Sequence, residues 1–313
     1  MTLTKKDFLV LYDTDAEEIE EILNTARAMK DILTRSVKKV PTLRGKTVIN
    51  LFYEPSTRTK FSFNLAAKRL SADVMSISKS TSSITKGESL LDTAKTMEVM
   101  GSDVVVVRHS SPGAAKFLAE NISAAVLNAG DGAHSHPTQA LLDMYTIREK
   151  LGRLAGLKVL IVGDIAHSRV ARSNIWGLKK MGAEVSVVGP LTLIPTEIEK
   201  MGVKVYSNLD KALEGADVVN ILRIQMERQE SGLFPSIREY RELYGMNKER
   251  LKKAGKDLLV MHPGPMNRGI EIESSVADSS QSVITEQVKN GVAIRMALLY
   301  LLAGREIKNE DID

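Results

Sequence analysis

The stretch Thr47-Val48-Ile49-Asn50-Leu51-Phe52-Tyr53-Glu54-Pro55-Ser56-Thr57-Arg58-Thr59 holds a short apolar run, a turn containing Pro55, and the start of a helical pattern that continues to about Leu70. An apolar run that gives way to helical periodicity is the building unit of an α/β sheet. The unit recurs along the chain. Upstream, Ile19, Ile22, Leu23, Ala26 and Met29 recur at helical spacing. Downstream, Ala72 to Ile77, Val104 to Val107 and Ala125 to Leu127 read as strands. Helices are predicted on Leu90, Leu91, Ala94 and Met97, after Pro112, and from Pro137, since proline is welcome at a first helical position. After Gly152 and Gly156 the pattern restarts with Leu157 to Val162, then Glu184 to Val188, Val203 to Tyr206, Asp217 to Leu222 and Asp257 to Met261.

Strands alternating with helices imply crossover units around mainly parallel sheets. A length of 313 residues suits two domains better than one. The expected fold class is therefore α/β, with two doubly wound parallel-sheet domains joined by linking helices. Residues 1–137 form the first domain and 138–283 the second. The apolar C-terminal helix, from Ile284, returns to the first domain, so that residues 284–313 complete it. The run from Val292 to Ala303 is interrupted by Arg295 and is too short to span a bilayer.

Hydrophobic residues make up 43% and charged residues 26%, with a formal charge of +4 and only 4% aromatics. That balance gives no support to a nucleic-acid binder and suits anionic metabolites. The absence of cysteine excludes disulfides, a thiolate nucleophile and cysteine-based zinc sites, and fits a cytoplasmic chain. The first residues lack an apolar core of signal-peptide length. A membrane role is not expected.

Ser56-Thr57-Arg58-Thr59 opens a helix directly after a strand, at the edge where open α/β sheets bind ligands. First-turn N–H groups converge there with partial positive charge. Three hydroxyls add donors, and Arg58 adds a planar fork matched to phosphate oxygens. A helix cap accounts for one hydroxyl but not for three and an arginine, so the segment reads as a phosphate cradle. Two look-alikes fail. Gly45-Lys46-Thr47 resembles the end of a P-loop, but Val40 stands where the first glycine is required. Gly163-Asp164-Ile165-Ala166-His167-Ser168 lacks the second and third glycines of a dinucleotide fingerprint, which argues against a nicotinamide cofactor and a dehydrogenase.

Other polar residues gather at strand ends. Ser82 and Lys86 lie on a polar stretch that, by composition, is a linker. Arg108 follows four valines, either as a ligand contact or as a satisfied strand-end arginine. In the glycine-rich loop from Asn128 to Gln139, His134 and His136 are either metal ligands or hydrogen-bond donors. With no cysteine and no matching acidic grouping, the second reading is the better one and no metal is expected. Arg169 begins a helix after Asp164, while Arg223 and Gln225 follow a strand. Two arginines and an amide there suit a dicarboxylate, and Glu227 and Arg228 read as a solvated charge cluster. His262-Pro263-Gly264-Pro265 reads as a stiff loop whose backbone faces the same cleft.

Taken together, Ser56 to Thr59, His136-Pro137-Thr138-Gln139 and His262-Pro263-Gly264-Pro265 resemble the carbamoyltransferase family, in its aspartate-using branch, from about Phe8 to the final helix. The resemblance implies transfer of the carbamoyl group of carbamoyl phosphate to L-aspartate, giving N-carbamoyl-L-aspartate and phosphate in an early step of pyrimidine biosynthesis, with no cofactor. Ser56, Thr57, Arg58 and Thr59 would bind the phosphate. Arg108, His136, Gln139 and Thr59 would hold the carbamoyl group, with Arg108 and His136 polarising its carbonyl. Ser82 and Lys86 would reach in from a neighbouring subunit of a homotrimer with shared active sites. Arg169, Arg223 and Gln225, together with Lys86, would bind aspartate. Pro263, Gly264 and Pro265 would line the site, Gly264 and Pro265 as the carbamoyl phosphate loop. The first domain would thus bind carbamoyl phosphate and the second aspartate.

Some aspartate enzymes carry leucine where Gly264 stands, a departure that bears on the loop rather than on the substrate. Ornithine carbamoyltransferases carry His-Cys-Leu-Pro near the end, whereas Pro263 occupies the cysteine position here. That alternative and a non-catalytic carbamoyl phosphate-binding paralogue remain the competing readings. The resemblance also leaves room for a regulatory chain or a dihydroorotase partner. A mixed anhydride already carries a good leaving group, so the chemistry needs no covalent nucleophile.

Overall fold

A computed structural model of the chain describes residues 3, 5–78, 87–224 and 236–304. It divides into two compact units: one holds the residues up to Thr138 and those from Asn290 on, and the other holds Gln139–Lys289.

The first unit begins with helix α1 (Ala16–Thr34), whose buried residues are Ile19, Ile22, Leu23, Ala26, Met29 and Ile32. There follow β1 (Thr47–Phe52), α2 (Thr57–Arg69), β2 (Asp73–Ser78), α3 (Leu90–Val99), β3 (Val104–His109), α4 (Ala114–Ala119) and β4 (Ala125–Asp131). The four strands form a parallel sheet in the order β2-β1-β3-β4. Phe8 extends this sheet: its N–H donates to Val126 O at 2.9 Å and its carbonyl accepts from Asn128 N at 3.0 Å. The valines of β3 are essentially sealed from water, and burying each contributes about 1.5–3 kcal/mol relative to exposure. Val105 and Val107 pack with Ile49, Leu51, Ala94, Met97, Leu118 and Val126 into one core.

The glycine-rich segment after Leu127 departs from the expected loop. β4 runs on to Asp131, and its pairing with β3 shifts register between Val107 and His109, so that His109 pairs with Asp131. Gly130, at φ 121°, takes up the irregularity. Asn128 Oδ1 accepts from Gly130 N at 2.8 Å. A neighbouring strand here overrides a composition that reads as loop.

Helix α5 (Pro137–Leu151) starts as expected at its proline. The second unit continues with β5 (Lys158–Val162), α6 (Arg169–Lys180), β6 (Glu184–Val188), β7 (Lys204–Tyr206), α7 (Leu209–Leu213), β8 (Val218–Ile221), α8 (Ile237–Tyr244), α9 (Lys248–Ala254), β9 (Leu259–Met261), α10 (Ser274–Ala277) and α11 (Ile284–Ala303). Its five strands are parallel in the order β7-β6-β5-β8-β9. Leu160, Val162, Val219, Ile221 and Val260 form its core with Ile272 and Val276.

Helix α11 returns to the first unit from Asn290 on, as the apolar pattern implied, but residues 284–289, expected to complete the first domain, belong to the second unit. Arg295, which interrupts that pattern, is 4% exposed. Its Nη1 donates to Ser62 Oγ on α2 at 2.8 Å, and its guanidinium lies 5.0 Å from the Phe63 ring centre. A buried cation is tolerated because hydrogen bonds and an aromatic face replace its water. Among the described residues, no helix is long and apolar enough to cross a membrane.

Candidate active site

Each sheet has one place where the order of its strands reverses direction from the first strand, between β1 and β3 in the first and between β5 and β8 in the second. Ligands of open α/β sheets bind outside the carboxyl ends of the strands at such a point. Sequence-predicted residues fall at both. In the first unit β1, β3 and β4 are successive neighbours, so their carboxyl ends bring the cradle, Arg108 and the turn leading to His136 side by side.

In the cradle, Ser56 stands just before α2 with extended backbone, and its side chain makes no capping bond. The Ser56 hydroxyl instead donates to Thr59 Oγ1 at 3.0 Å. The simplest structural explanation for a serine at this position, a helix cap, is therefore not what it does. Thr59 is 7% exposed, whereas Thr57 and Arg58 are exposed. No acidic residue occupies the first turn of α2, so nothing there neutralises its positive end.

Arg108 is 8% exposed. Its Nη1 donates to Ala129 O at 3.1 Å, and its Nη2 donates to Glu54 Oε1 at 2.7 Å. Glu54 was not singled out in the sequence; its signal was its place between the strand and the cradle. His136 is 5% exposed and ends a turn organised by Asp131. Asp131 Oδ1 accepts from Ser135 N at 3.0 Å and from Asn128 Nδ2 at 3.0 Å. Its Oδ2 accepts from Gly113 N at 2.8 Å and lies 2.9 Å from His134 Nδ1. His134 is thus tied to a carboxylate rather than grouped with His136. No set of three or more potential metal-ligating side chains occurs among the described residues.

In the second unit β5, β8 and β9 are neighbours, which brings the turn from Gly163 to Arg169, the segment after β8 with Arg223, and the loop from His262 to Pro265 to one edge. Arg169 is the first residue of α6 and is 5% exposed. The preceding Ser168 caps the helix by accepting from Ala171 N at 3.1 Å. Asp164, sealed from solvent, accepts from His167 N at 3.1 Å and fixes the turn. Arg223 is half-buried. The loop after β9 is stiff because His262 bonds at both ring nitrogens. Nδ1 accepts from Gly264 N at 2.8 Å, and Nε2 lies 3.3 Å from Glu271 Oε1. Accepting at Nδ1 leaves the proton on Nε2, facing the carboxylate. The Gly264–Pro265 peptide is cis.

Gln139, on α5, donates through Nε2 to Asp143 Oδ1 at 2.9 Å. Asp143 was also missed by the sequence reading. Its carboxyl is pushed up to about 6, chiefly by burial, against the lowering effect of hydrogen bonds from Asn174, Gln287, Gln139 and Asn220. Ser82, Lys86 and Gln225 lie outside the described residues.

Comparison with known proteins follows the same division. A family profile described as aspartate/ornithine carbamoyltransferase, carbamoyl-P binding domain, matches residues 6–149, and its companion, the Asp/Orn binding domain, matches residues 155–302. The aspartate carbamoyltransferase catalytic subunit of Halothermothrix orenii is 77% identical over 312 residues, covering 100% of both chains. The crystal structure of aspartate transcarbamoylase from Trypanosoma cruzi in complex with carbamoyl phosphate and aspartate is similar at a TM-score of 0.85 and 29% identity, covering 95% of this chain and 96% of that one. Ornithine carbamoyltransferase from Pyrococcus furiosus reaches a TM-score of 0.86 at 32% identity, covering 98% and 99%. Backbone likeness alone therefore does not separate the two amine substrates, whereas 77% identity along the whole chain favours the aspartate branch. Motifs, strand-edge placement and both profiles agree: this chain belongs to the aspartate/ornithine carbamoyltransferase family.

Proposed function

We propose that this chain transfers the carbamoyl group of carbamoyl phosphate to the amine of L-aspartate, giving N-carbamoyl-L-aspartate and phosphate. The observation that carries the reading is the cradle at the end of β1. Its serine is not used as a cap, its arginine is exposed, and the first turn of the helix holds no acidic residue. The choice of aspartate over ornithine rests on the full-length 77% identity to an aspartate enzyme and on Arg169 and Arg223, which suit carboxylates.

In this reading the first unit binds carbamoyl phosphate and the second aspartate. Ser56, Thr57, Arg58 and Thr59 hold the phosphate, while Arg108, His136, Gln139 and Thr59 hold the carbamoyl group. Arg169, Arg223 and Gln225 hold the aspartate carboxylates beside the Gly264–Pro265 loop. The neutral amine attacks the carbonyl carbon, and the carbonyl oxygen gains negative charge opposite Arg108 and His136. One such preorganised donor contributes about 3–4 kcal/mol in comparable sites. The carbon–oxygen bond to phosphate then breaks, and the departing phosphate takes the proton lost by the amine. Holding both reactants in attack geometry contributes roughly 7–11 kcal/mol, so positioning outweighs acid–base work.

Ser82 and Lys86 reach the site of a neighbouring subunit in a homotrimer. Exposed apolar side chains on the first unit, Phe61, Leu65, Met75, Val99 and Met100, support an interface between copies. A cysteine-free sequence supports a cytoplasmic setting. The test is phosphate release from carbamoyl phosphate with aspartate or with ornithine. Release that depends on aspartate is expected. Dependence on ornithine would overturn the substrate, and no release with either would leave a binding paralogue. Native mass measurement is expected to give three chains.

A further inference from the structure

Asp143 lies on α5, one turn beyond Gln139, with none of its surface exposed. Its carboxylate accepts four hydrogen bonds, all from side-chain amides of the second unit. Oδ1 receives Gln139 Nε2 at 2.9 Å and Gln287 Nε2 at 2.8 Å. Oδ2 receives Asn174 Nδ2 at 2.8 Å and Asn220 Nδ2 at 3.3 Å. These donors come from α5, α11, α6 and β8. None carries a charge, so the group is a buried carboxylate solvated by amide dipoles alone, an arrangement that costs free energy and calls for a reason.

The reason lies in what a carboxylate can and cannot do. Ionised, it is an acceptor only. Every amide bonded to it must therefore present its NH2 end, which fixes where the carbonyl end is available. For Gln287 the consequence is visible: Oε1 accepts from His262 N at 3.0 Å, and His262 Nδ1 in turn accepts from Gly264 N at 2.8 Å. For Gln139, with Nε2 bound to the carboxylate, the carbonyl oxygen is the end left for a ligand. An amide oxygen takes an N–H donor, and the NH2 of a carbamoyl group is one. A flipped Gln139 would offer that NH2 another NH2, leaving both without an acceptor.

We infer that Asp143 is a positioning residue: its carboxylate locks the amide of Gln139 with its oxygen toward the carbamoyl NH2 and, through Gln287, holds the turn from His262 to Gly264. The inference rests on the carbamoyl-transfer reading and deepens it. The two asparagines act differently. Their Oδ1 atoms are buried with no hydrogen-bond partner, so the Asn220 amide can turn round at little cost, whereas turning Asn174 gives up the bond from its Nδ2 to Val170 O at 3.2 Å.

That asymmetry defines the test, in full-length protein with the wild type assayed alongside. If the wild type does not turn over, the functional reading fails; the variants are informative only when it does. Asp143→Ala should lower kcat ten-fold or more while the chain still melts cooperatively. Asp143→Asn should recover most of that loss, because its Oδ1 can serve both glutamines while its NH2 finds an acceptor in the Asn220 amide once that turns round. In a Gln139→Ala background the Asp143→Ala penalty should shrink several-fold, since the group it acts through is gone. Wild-type kcat in folded Asp143→Ala, or penalties that multiply in full, would overturn the inference. Should Asp143→Ala not fold, Gln287→Met decides. It removes the branch to His262 together with one of the four donors to the carboxylate, leaves Gln139 in place, and should lower kcat at least five-fold; unchanged kcat overturns the inference.

Discussion

Glu54 and Arg108 are joined twice. The Glu54 N–H donates to Arg108 O at 3.3 Å, continuing the pairing of β1 with β3, and Arg108 Nη2 donates to Glu54 Oε1 at 2.7 Å. The strand register thus delivers the carboxylate to the guanidinium, and the pair holds Arg108 at the edge where the cradle begins. Both side chains are largely shielded. Glu54→Ala should leave a shielded cation without its countercharge, destabilising the chain by about 3 kcal/mol. It should also lower kcat at least ten-fold, while Glu54→Gln, which keeps an acceptor, should do less on both counts. Thermal melts and steady-state rates check this, and equal losses in the two variants would show that charge rather than geometry holds the arginine.

Arg58 presents the opposite case, an exposed side chain at a helix terminus. Arg58→Ala should nearly abolish turnover and shift stability by no more than about 0.5 kcal/mol, as surface substitutions do. Normal activity in that variant would remove the cradle from the site.

These two arginines mark what the sequence made legible. The strand and helix that flank Ser56 to Thr59, the β3 valines, the helix from Pro137 and the return of α11 all follow from periodicity and local chemistry within a few residues. Glu54 and Asp143 did not stand out, because a lone acid in sequence gives no sign of its partners. Those of Asp143 sit at positions 139, 174, 220 and 287, and only the tertiary fold collects them. The extension of β4 through Gly130 was hidden for a related reason. Glycine-rich composition speaks for a loop, and only pairing with β3 makes it strand.

The burial of Asp143 also sets a pH dependence of stability. Its pKa rises from 3.8 to about 6 on folding, mainly through burial. A raised folded-state value means that the native state binds this proton more tightly. The resulting stabilisation is full below the unfolded value and is lost as pH rises through 6. Relative to Asp143→Asn, which has no such proton, the wild type should therefore lose on the order of 2 kcal/mol between pH 4 and pH 7. Urea denaturation of both proteins across that range measures it. Parallel curves would show that the carboxyl titrates alike in the folded and unfolded chains.

A close approach in the second unit offers a structural route to the aspartate side. A Cβ built at Gly189 would lie 2.3 Å from Gly163 O, at the start of the turn that leads through Asp164 to Arg169. The contact is backbone, which cannot swing aside as a flexible side chain would. Gly189→Ala should cost about 1–3 kcal/mol through overpacking and raise the KM for aspartate more than that for carbamoyl phosphate. An equal rise in both would mean that the turn does not position Arg169.

A site shared between subunits, as proposed, makes a prediction that no single-subunit reading can meet. Lys86→Ala and Arg58→Ala chains should each be nearly inactive alone. In a trimer where Lys86 of one subunit completes the site of the next, an Arg58→Ala chain still supplies an intact Lys86 to a neighbouring Lys86→Ala chain, whose own Arg58 is intact. Random mixing after reversible dissociation makes that pairing in about a quarter of sites in a closed three-fold ring. Activity near that fraction of wild type is expected, with native mass confirming chain exchange. Exchange without recovery would place Lys86 in its own subunit's site.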